Sequence, residues 1–266
     1  MERQTEMNTK ALARFLYANI PGLAAIRFAA KDLAASYFSK PEYHGVVWLS
    51  IKDGLIVDVG ANRGQSIVAF KRLGPQANII AFEPEPRSAK RLATRYQKDR
   101  NVAVHECALS GRAGIVTFFV PSYGIWDCDG MAATDHKAAT EWLSDPGRMY
   151  RYDPTKLTVA EHQVACKTLD SYGLSPVLIK LHAQGAELDI LKGSLQTIQQ
   201  HRPALMCAFP SPAVTSFLAD VGYQPHTYRD GHFTPGTAKP PVTFTWYFTD
   251  DHLRSLPPGT NSARDI

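Results

Sequence analysis

At 266 residues the chain has room for one large α/β domain with additions and a sizeable core. An apolar share of 44% suits a soluble globular protein, and a net charge of +4 is too mild to demand a nucleic-acid partner. The four scattered cysteines form no C-x-x-C pair, which argues against a zinc or redox motif and for reduced thiols in a cytoplasmic protein. Acids near the N-terminus and the lack of a long apolar core leave no secretory signal. No apolar run reaches the about eighteen residues of a membrane span.

Residues 9–20 place Leu12, Phe15, Leu16 and Ile20 on one helical face, and Pro21-Gly22 ends that helix. A second helix is predicted over about 23–38. We read residues 1–44 as a helical extension packed on the domain; it could also mediate a homodimer. From residue 45 strand and helix alternate. Strand 55–59 leads to helix 65–73, stopped by Gly74-Pro75, and strand 78–82 leads to helix 86–98, with Pro86 in its first turn. Strands follow at 101–106 and 115–120. Residues 121–162 read as irregular. Strand 163–168, strand 176–181, helix 186–201, strand 204–209 and helix 212–220 come next, and 224–228 with 243–248 look like a closing hairpin. This alternation implies a parallel, doubly wound sheet with helices on both faces, in a domain over 45–256 followed by a flexible tail, 257–266.

Residues 54–65 carry the strongest functional signal. An apolar run, Leu55 to Val57, meets Asp58, then Gly60 and Gly64 spaced around Asn62. Both glycines permit positive φ and close backbone approach, and Asn62 tolerates the left-handed region. Nineteen residues beyond Gly64, a second apolar run ends in Glu83, an acid placed to accept both hydroxyls of a ribose. The dinucleotide fingerprint G-x-G-x-x-G is absent. Asp58 would repel a pyrophosphate but not an ammonium group, which favours S-adenosylmethionine over NAD. Asp58, Glu83, Glu106 and His182 all fall at predicted strand carboxyl ends, where ligands bind on such sheets.

The segments Asp-Val-Gly-Ala-Asn-Arg-Gly-Gln-Ser (58–66), Ala-Phe-Glu-Pro-Glu-Pro (81–86) and Leu-Ile-Lys-Leu-His-Ala-Gln-Gly-Ala-Glu-Leu-Asp-Ile-Leu-Lys-Gly (178–193) together resemble the FkbM family of methyltransferases, over about residues 45–210. The resemblance implies a class I methyltransferase fold: a mostly parallel, Rossmann-like seven-stranded sheet with its last strand antiparallel. It also implies S-adenosylmethionine as donor and O-methylation of a small acceptor such as a sugar or natural product. By the same resemblance Asp58, Gly60, Ala61, Asn62 and Gly64 would cradle the amino-acid end of the cofactor, with Ser66 on its carboxylate. Glu83 would hold the ribose, and Glu106 and the Cys107 amide would flank the adenine.

The chain departs from the family pattern Lys-Ile-Asp-Val-Glu-Gly-Ala-Glu. His182 and Gln184 stand where carboxylates are usual, and the later strand ends in Cys207-Ala208-Phe209 rather than an acid. A histidine with an amide is a poor site for a hard cation, so a metal-free site is expected. His182 becomes the candidate general base, with Glu187 orienting its ring or bonding substrate. A catalytically lapsed module that binds the cofactor without turnover is the alternative. Trp126, Trp142, Tyr123 and Tyr150 could stack on a sugar, and Asp127, Asp129, Asp135 and His136 could hydrogen-bond it, which makes 121–162 the expected acceptor segment. The basic residues near 71–72 and 87–95 read as a solvated helix face, not a nucleic-acid patch.

Overall fold

In the computed structural model, which describes residues 9–49, 54–128, 131–145 and 147–260, the chain begins with α1 (Thr9–Asn19) and α2 (Leu23–Tyr37) and a 3-10 turn at Pro41–Trp48. Next come β1 (Leu55–Val59), α3 (Gln65–Leu73), β2 (Asn78–Phe82), α4 (Pro86–Tyr96), β3 (Val102–His105), β4 (Ala108–Leu109), β5 (Gly114–Tyr123), β6 (Trp126–Asp127) and α5 (His136–Glu141). The chain continues through β7 (Leu157–Lys167), β8 (Pro176–Leu181), α6 (Glu187–Lys192), α7 (Leu195–His201), β9 (Ala204–Ala208) and α8 (Pro212–Asp220). It closes with β10 (Gln224–Arg229), β11 (His232–Pro235), β12 (Phe244–Phe248) and α9 (Asp250–Ser255). Two compact units result: residues 1–34 with 115–164, and residues 35–114 with 165–266.

The larger unit is built on a sheet of order β11-β10-β12-β9-β8-β1-β2-β3. Strands β9, β8, β1, β2 and β3 run parallel, and β12 lies antiparallel between β9 and β10. This is the class I methyltransferase arrangement with one strand more than expected, because β11 pairs on the outer edge of β10. The segments 224–228 and 243–248 do pair, with β11 intervening in the chain.

Alternation along each strand explains why both faces are covered. Ile56, Ile79, Leu178, Met206 and Trp246 join one apolar layer. Their strand neighbours Val57, Ile179, Leu205 and Tyr247 join the other, with Ile190 and Leu191 of α6, Ile198 of α7 and Leu218 of α8. Each such buried aliphatic side chain stabilises the unit by about 1.5–3 kcal/mol. Helix α4 starts at Glu85, whose carboxylate accepts from the Arg87 and Ser88 amides, with Pro86 in the first turn.

Several boundaries differ from the sequence expectation. The helix expected over 186–201 is two helices. Gly193 breaks it, and a Cβ there would lie 2.0 Å from the Ser110 carbonyl oxygen. Residues 121–162 are not irregular: they contain the end of β5, β6, α5 and the first half of β7. Within the expected tail, Thr260 is buried and accepts a hydrogen bond from the Phe233 amide; residues 261–266 lie outside the described residues.

In the smaller unit, Tyr17, Ala18, Tyr123, Trp126, Cys128, Leu143 and Met149 form a separate core. Arg14 and Arg148 both stack on Trp142, at 4.6 and 4.7 Å from its ring centre. Tyr123 and Trp126, expected to stack on a sugar, are 1% and 5% exposed and serve this core instead. Asp135 caps α5 by accepting from the Ala138 amide, His136 meets Phe119 edge-on, and Asp127 accepts from the Ser122 hydroxyl. Asp129 falls outside the described residues.

Candidate functional site

The sheet's strand order reverses between β8 and β1, and on sheets of this kind ligands bind beyond the carboxyl ends at such a point. Three non-glycine residues with positive φ sit at those ends: Asn62 after β1 (φ 47°), Gln184 after β8 (φ 52°) and Phe209 after β9 (φ 45°). Such backbone costs on the order of 1–3 kcal/mol per residue and persists where surrounding structure enforces it, commonly at functional sites.

The turn after β1 is held from below. Gly60 (φ 73°) and Ala61 donate to the Phe82 carbonyl at 2.9 and 3.4 Å, and Gly64 (φ 80°) donates to the Ala61 carbonyl at 2.8 Å. Ala61 is buried. A Cβ on Gly60 would lie 2.0 Å from the His182 carbonyl oxygen. The glycine is therefore required by close approach of the β8 loop as well as by its φ.

Asp58 is engaged within the fold. It is wholly buried, with Lys180 Nζ 2.8 Å from Oδ1 and the Ser66 hydroxyl donating to Oδ2 at 2.5 Å. Lys180 also donates to the Gly60 carbonyl at 2.8 Å and the Val59 carbonyl at 3.2 Å. Tyr43 shares a hydrogen bond with Ser66, while burial, Asp58 and Glu42 hold its phenol protonated by raising its pKa. Asp58 and Ser66, which the sequence reading sets against the cofactor, spend their side chains on each other and on Lys180 here. Both belong to a buried chain, Tyr43–Ser66–Asp58–Lys180, that fixes the turn from behind.

Glu83 is aimed differently. Its carboxylate accepts from the Asn62 amide at 2.6 Å and the Glu85 amide at 3.0 Å, linking the ends of β1 and β2. Burial nevertheless pushes its pKa up to about 7, against the two amides and Lys180, which pull it down. A carboxylate that remains this uncomfortable can accept further donors. The Asn62 side-chain oxygen is buried without a hydrogen-bond partner among the described residues. Glu83 and Asn62 thus offer two acceptors to a ligand carrying hydroxyl and ammonium donors.

At the end of β3, Glu106 is exposed and Cys107 buried. The Cys107 amide donates to the His105 carbonyl at 3.0 Å, so it does not present a free donor as expected. The neighbouring rings do form a wall: His105 stacks on Phe82 at 5.2 Å, and Tyr172 meets both edge-on.

His182 begins the loop after β8, its amide donating to the Val59 carbonyl at 3.0 Å. Its ring lies 6.0 Å from Phe244 and 6.3 Å from Phe209, both nearly edge-on. Burial, then Lys180, then Lys40 drive its pKa down to about 3. The imidazole is neutral at physiological pH, with ring lone-pair density available but little appetite for a proton. Glu187 does not orient it. Its two oxygens accept from the Ala183 amide at 2.7 Å and the Gly185 amide at 2.9 Å, shaping the strained loop around Gln184.

Lys180 is the residue that the sequence reading missed. Its signal was available: a lysine inside the otherwise apolar β8, directly across from the only acid in β1. A buried charge of that kind needs a partner.

The profile of the methyltransferase FkbM domain matches residues 58–225. The chain is 29% identical over 162 residues to the 2-O-methyltransferase NoeI of Sinorhizobium fredii (strain NBRC 101917 / NGR234), covering 56% of this chain and 61% of that protein. It is 27% identical over 150 residues to Methyltransferase 1 of Beauveria bassiana (strain ARSEF 2860), covering 53% and 58%. The chain thus matches about three fifths of the length of these curated relatives. Among solved structures it is similar to the methyltransferase FkbM of Methylobacillus flagellatus KT, at 18% identity and a TM-score of 0.49, covering 89% of this chain and 57% of that one.

Proposed function

The chain belongs to the FkbM family of methyltransferases, and on that premise we propose that it transfers a methyl group from S-adenosylmethionine to a hydroxyl of a small acceptor, a sugar or a glycosylated natural product. The observation that carries the reading is the pairing of Glu83 with the glycine turn. At the end of β2, a buried carboxylate whose pKa burial raises to about 7 accepts from the amide of Asn62, whose own side-chain oxygen is orphaned, in the turn after β1 that borders the reversal of strand order. Two ribose hydroxyls would satisfy Glu83, and the ammonium group of the amino-acid end would satisfy Asn62. Bound there, the cofactor would supply an electrophilic methyl carbon on a sulfonium.

The chain's own residues would do the rest. Lys180 and Asp58 fix the turn so that Asn62 keeps its orientation. His105 and Tyr172, packed on the buried Phe82 ring, would offer a flat wall to a purine. His182, neutral and next to the β8 loop, would accept a hydrogen bond from the acceptor hydroxyl and take its proton as the oxygen attacks. The name of the relative NoeI, a 2-O-methyltransferase, supports oxygen as the target. We also propose that transfer needs no divalent cation, because His182 and Gln184 supply no carboxylate and Glu187 is occupied by backbone amides.

The test is incubation of the full chain with S-adenosylmethionine labelled in its methyl group and a panel of glycosides, with and without EDTA. Label in a glycoside that survives EDTA is expected. Loss of transfer in EDTA, restored by added Mg²⁺, would remove the metal-free reading. Cofactor binding with no labelled product across the panel would favour a binding module instead, a reading to which the very low pKa of His182 lends weight.

A further inference from the structure

Next to His182 lies a group of side chains that the transfer reaction as described leaves unused. Lys40, just before the Pro41–Trp48 turn, donates from Nζ to the Thr243 hydroxyl at 2.7 Å. The same ammonium sits 5.6 Å from the centre of the Phe244 ring, which in turn meets His182. Lys40 is exposed, though its ammonium end is partly shielded from water, and no carboxylate pairs with it among the described residues. The nearest acid in sequence, Glu42, is buried and accepts from the Thr243 amide at 2.7 Å, and its charge favours the Lys40 ammonium without an ion pair between them. The remaining charged neighbour is Lys180, whose charge Asp58 already meets at 2.8 Å.

Phe209 completes the group. It is 62% exposed, holds φ at 45°, and is tied to β12 by its amide, which donates to the Thr243 carbonyl at 3.0 Å. An exposed aromatic ring on strained backbone stabilises nothing that the fold itself requires. Phe209 and His182 make an aromatic ledge, and the buried Phe244 ring links it to the Lys40 ammonium, a cation that no carboxylate pairs with among the described residues. The flat C–H face of a sugar suits the ledge, and a negatively charged oxygen group suits the cation.

We infer that the acceptor is an anionic sugar, bearing a carboxylate or an ester phosphate or sulfate that docks on Lys40 while its ring rests on Phe209 and its reacting hydroxyl meets His182. This rests on the transferase reading and narrows it. It also eases a difficulty in that reading. Three effects hold the imidazole neutral: its burial, the Lys180 ammonium and the Lys40 ammonium. An anion on Lys40 offsets the smallest of the three, so the acceptor itself would shift His182 toward accepting a proton while burial still opposes it.

The experiment uses the full chain, with and without S-adenosylhomocysteine, and four probes: methyl glucuronide, glucose 6-phosphate, glucose 6-sulfate and neutral methyl glucoside. Binding is followed by calorimetry. The His182 ring is followed by NMR of isotopically labelled histidine, assigned against His182→Asn. At least one anionic probe is expected to bind tenfold or more tightly than the neutral glucoside and to raise the His182 pKa by more than one unit. Lys40→Met should abolish both effects and Lys40→Arg should keep them, while S-adenosylhomocysteine binds all three forms equally. Equal binding of neutral and anionic probes, or an unchanged anion response in Lys40→Met, would overturn the inference. If the nucleoside fails to bind while the anion response stands, it is the cofactor reading that falls. The three anionic arms separate a carboxylate from an ester as the group recognised.

Discussion

Replacing Lys180 with methionine should unfold the chain far more readily than a single substitution usually does. Lys180 is 2% exposed and Asp58 is fully buried, with Lys180 Nζ 2.8 Å from Asp58 Oδ1. Methionine matches the aliphatic stem but removes the charge, leaving Asp58 with the Ser66 hydroxyl as its remaining hydrogen-bond donor. It also strips a donor from the carbonyls of Val59 and Gly60. Removing one partner of a buried ion pair costs about 3–5 kcal/mol. For a unit of this size each kcal/mol lowers Tm by about 2–4 °C, so a fall on the order of 6–20 °C follows. Urea unfolding read by intrinsic fluorescence measures the loss. The double variant Asp58→Asn with Lys180→Met removes the stranded charge, and should recover about 2 kcal/mol or more relative to the sum of the single variants. A single-variant loss below about 1 kcal/mol, or strict additivity in the double, would refute the buried-clamp account.

Three further outcomes follow from the same geometry. Gly60→Ala should lower stability and abolish nucleoside binding, because its Cβ would lie 2.0 Å from the His182 carbonyl oxygen at a φ of 73°; circular dichroism melts and calorimetry check both. Glu83 should make cofactor affinity pH-dependent. Its pKa in the free protein is raised to about 7, and ribose hydroxyls favour the ionised form, so affinity should be full above pH 7 and fall as pH drops below it. At pH 6 the weakening approaches about tenfold, and Glu83→Gln should be weak and flat with pH, which calorimetry across pH 5.5–8.5 reads. His182 has its folded pKa depressed to about 3 from an unfolded value of about 6.5, so the folded state binds fewer protons between those values. Its contribution is therefore intact above pH 6.5 and lost on acidification through that window, at up to about 1.4 kcal/mol per unit. His182→Asn should flatten the acid side of the stability profile measured by urea titration.

The parts of the fold that were legible in the sequence are those where one physical signal dominates. β1, β2 and β8 are short apolar runs, and each ends as forecast, since a run of that kind stops where glycine or a polar residue appears. β7 was not legible from its start. Its first half, Leu157–His162, breaks the two-residue period at Val159-Ala160 and again at Glu161-His162, so the period stood out only further on. Gly193 looked like a helical residue because the close approach of Ser110, which makes it necessary, comes from residues far away in the chain.

At the candidate site the sequence located the strand ends but not the bonds each side chain makes there. Asp58 and Ser66 were placed on the ligand because the motif is linear, whereas the Lys180 ammonium that claims Asp58 comes from another strand. Glu187 was read as a partner of His182 from helical spacing, yet the strained loop between them takes both its oxygens. For Glu83, the position after a buried strand and the burial beside a glycine turn are two views of one constraint, a carboxylate at the end of β2 held by the Asn62 amide.

The most direct measurement is calorimetric titration of the purified chain with S-adenosylmethionine and S-adenosylhomocysteine, beside the Glu83→Ala variant. The account predicts micromolar binding of both by the natural chain, and binding weaker by about 1–3 kcal/mol in the variant, from the lost hydrogen bonds to a charged group. Binding that is absent in the natural chain, or unchanged in Glu83→Ala, would contradict it.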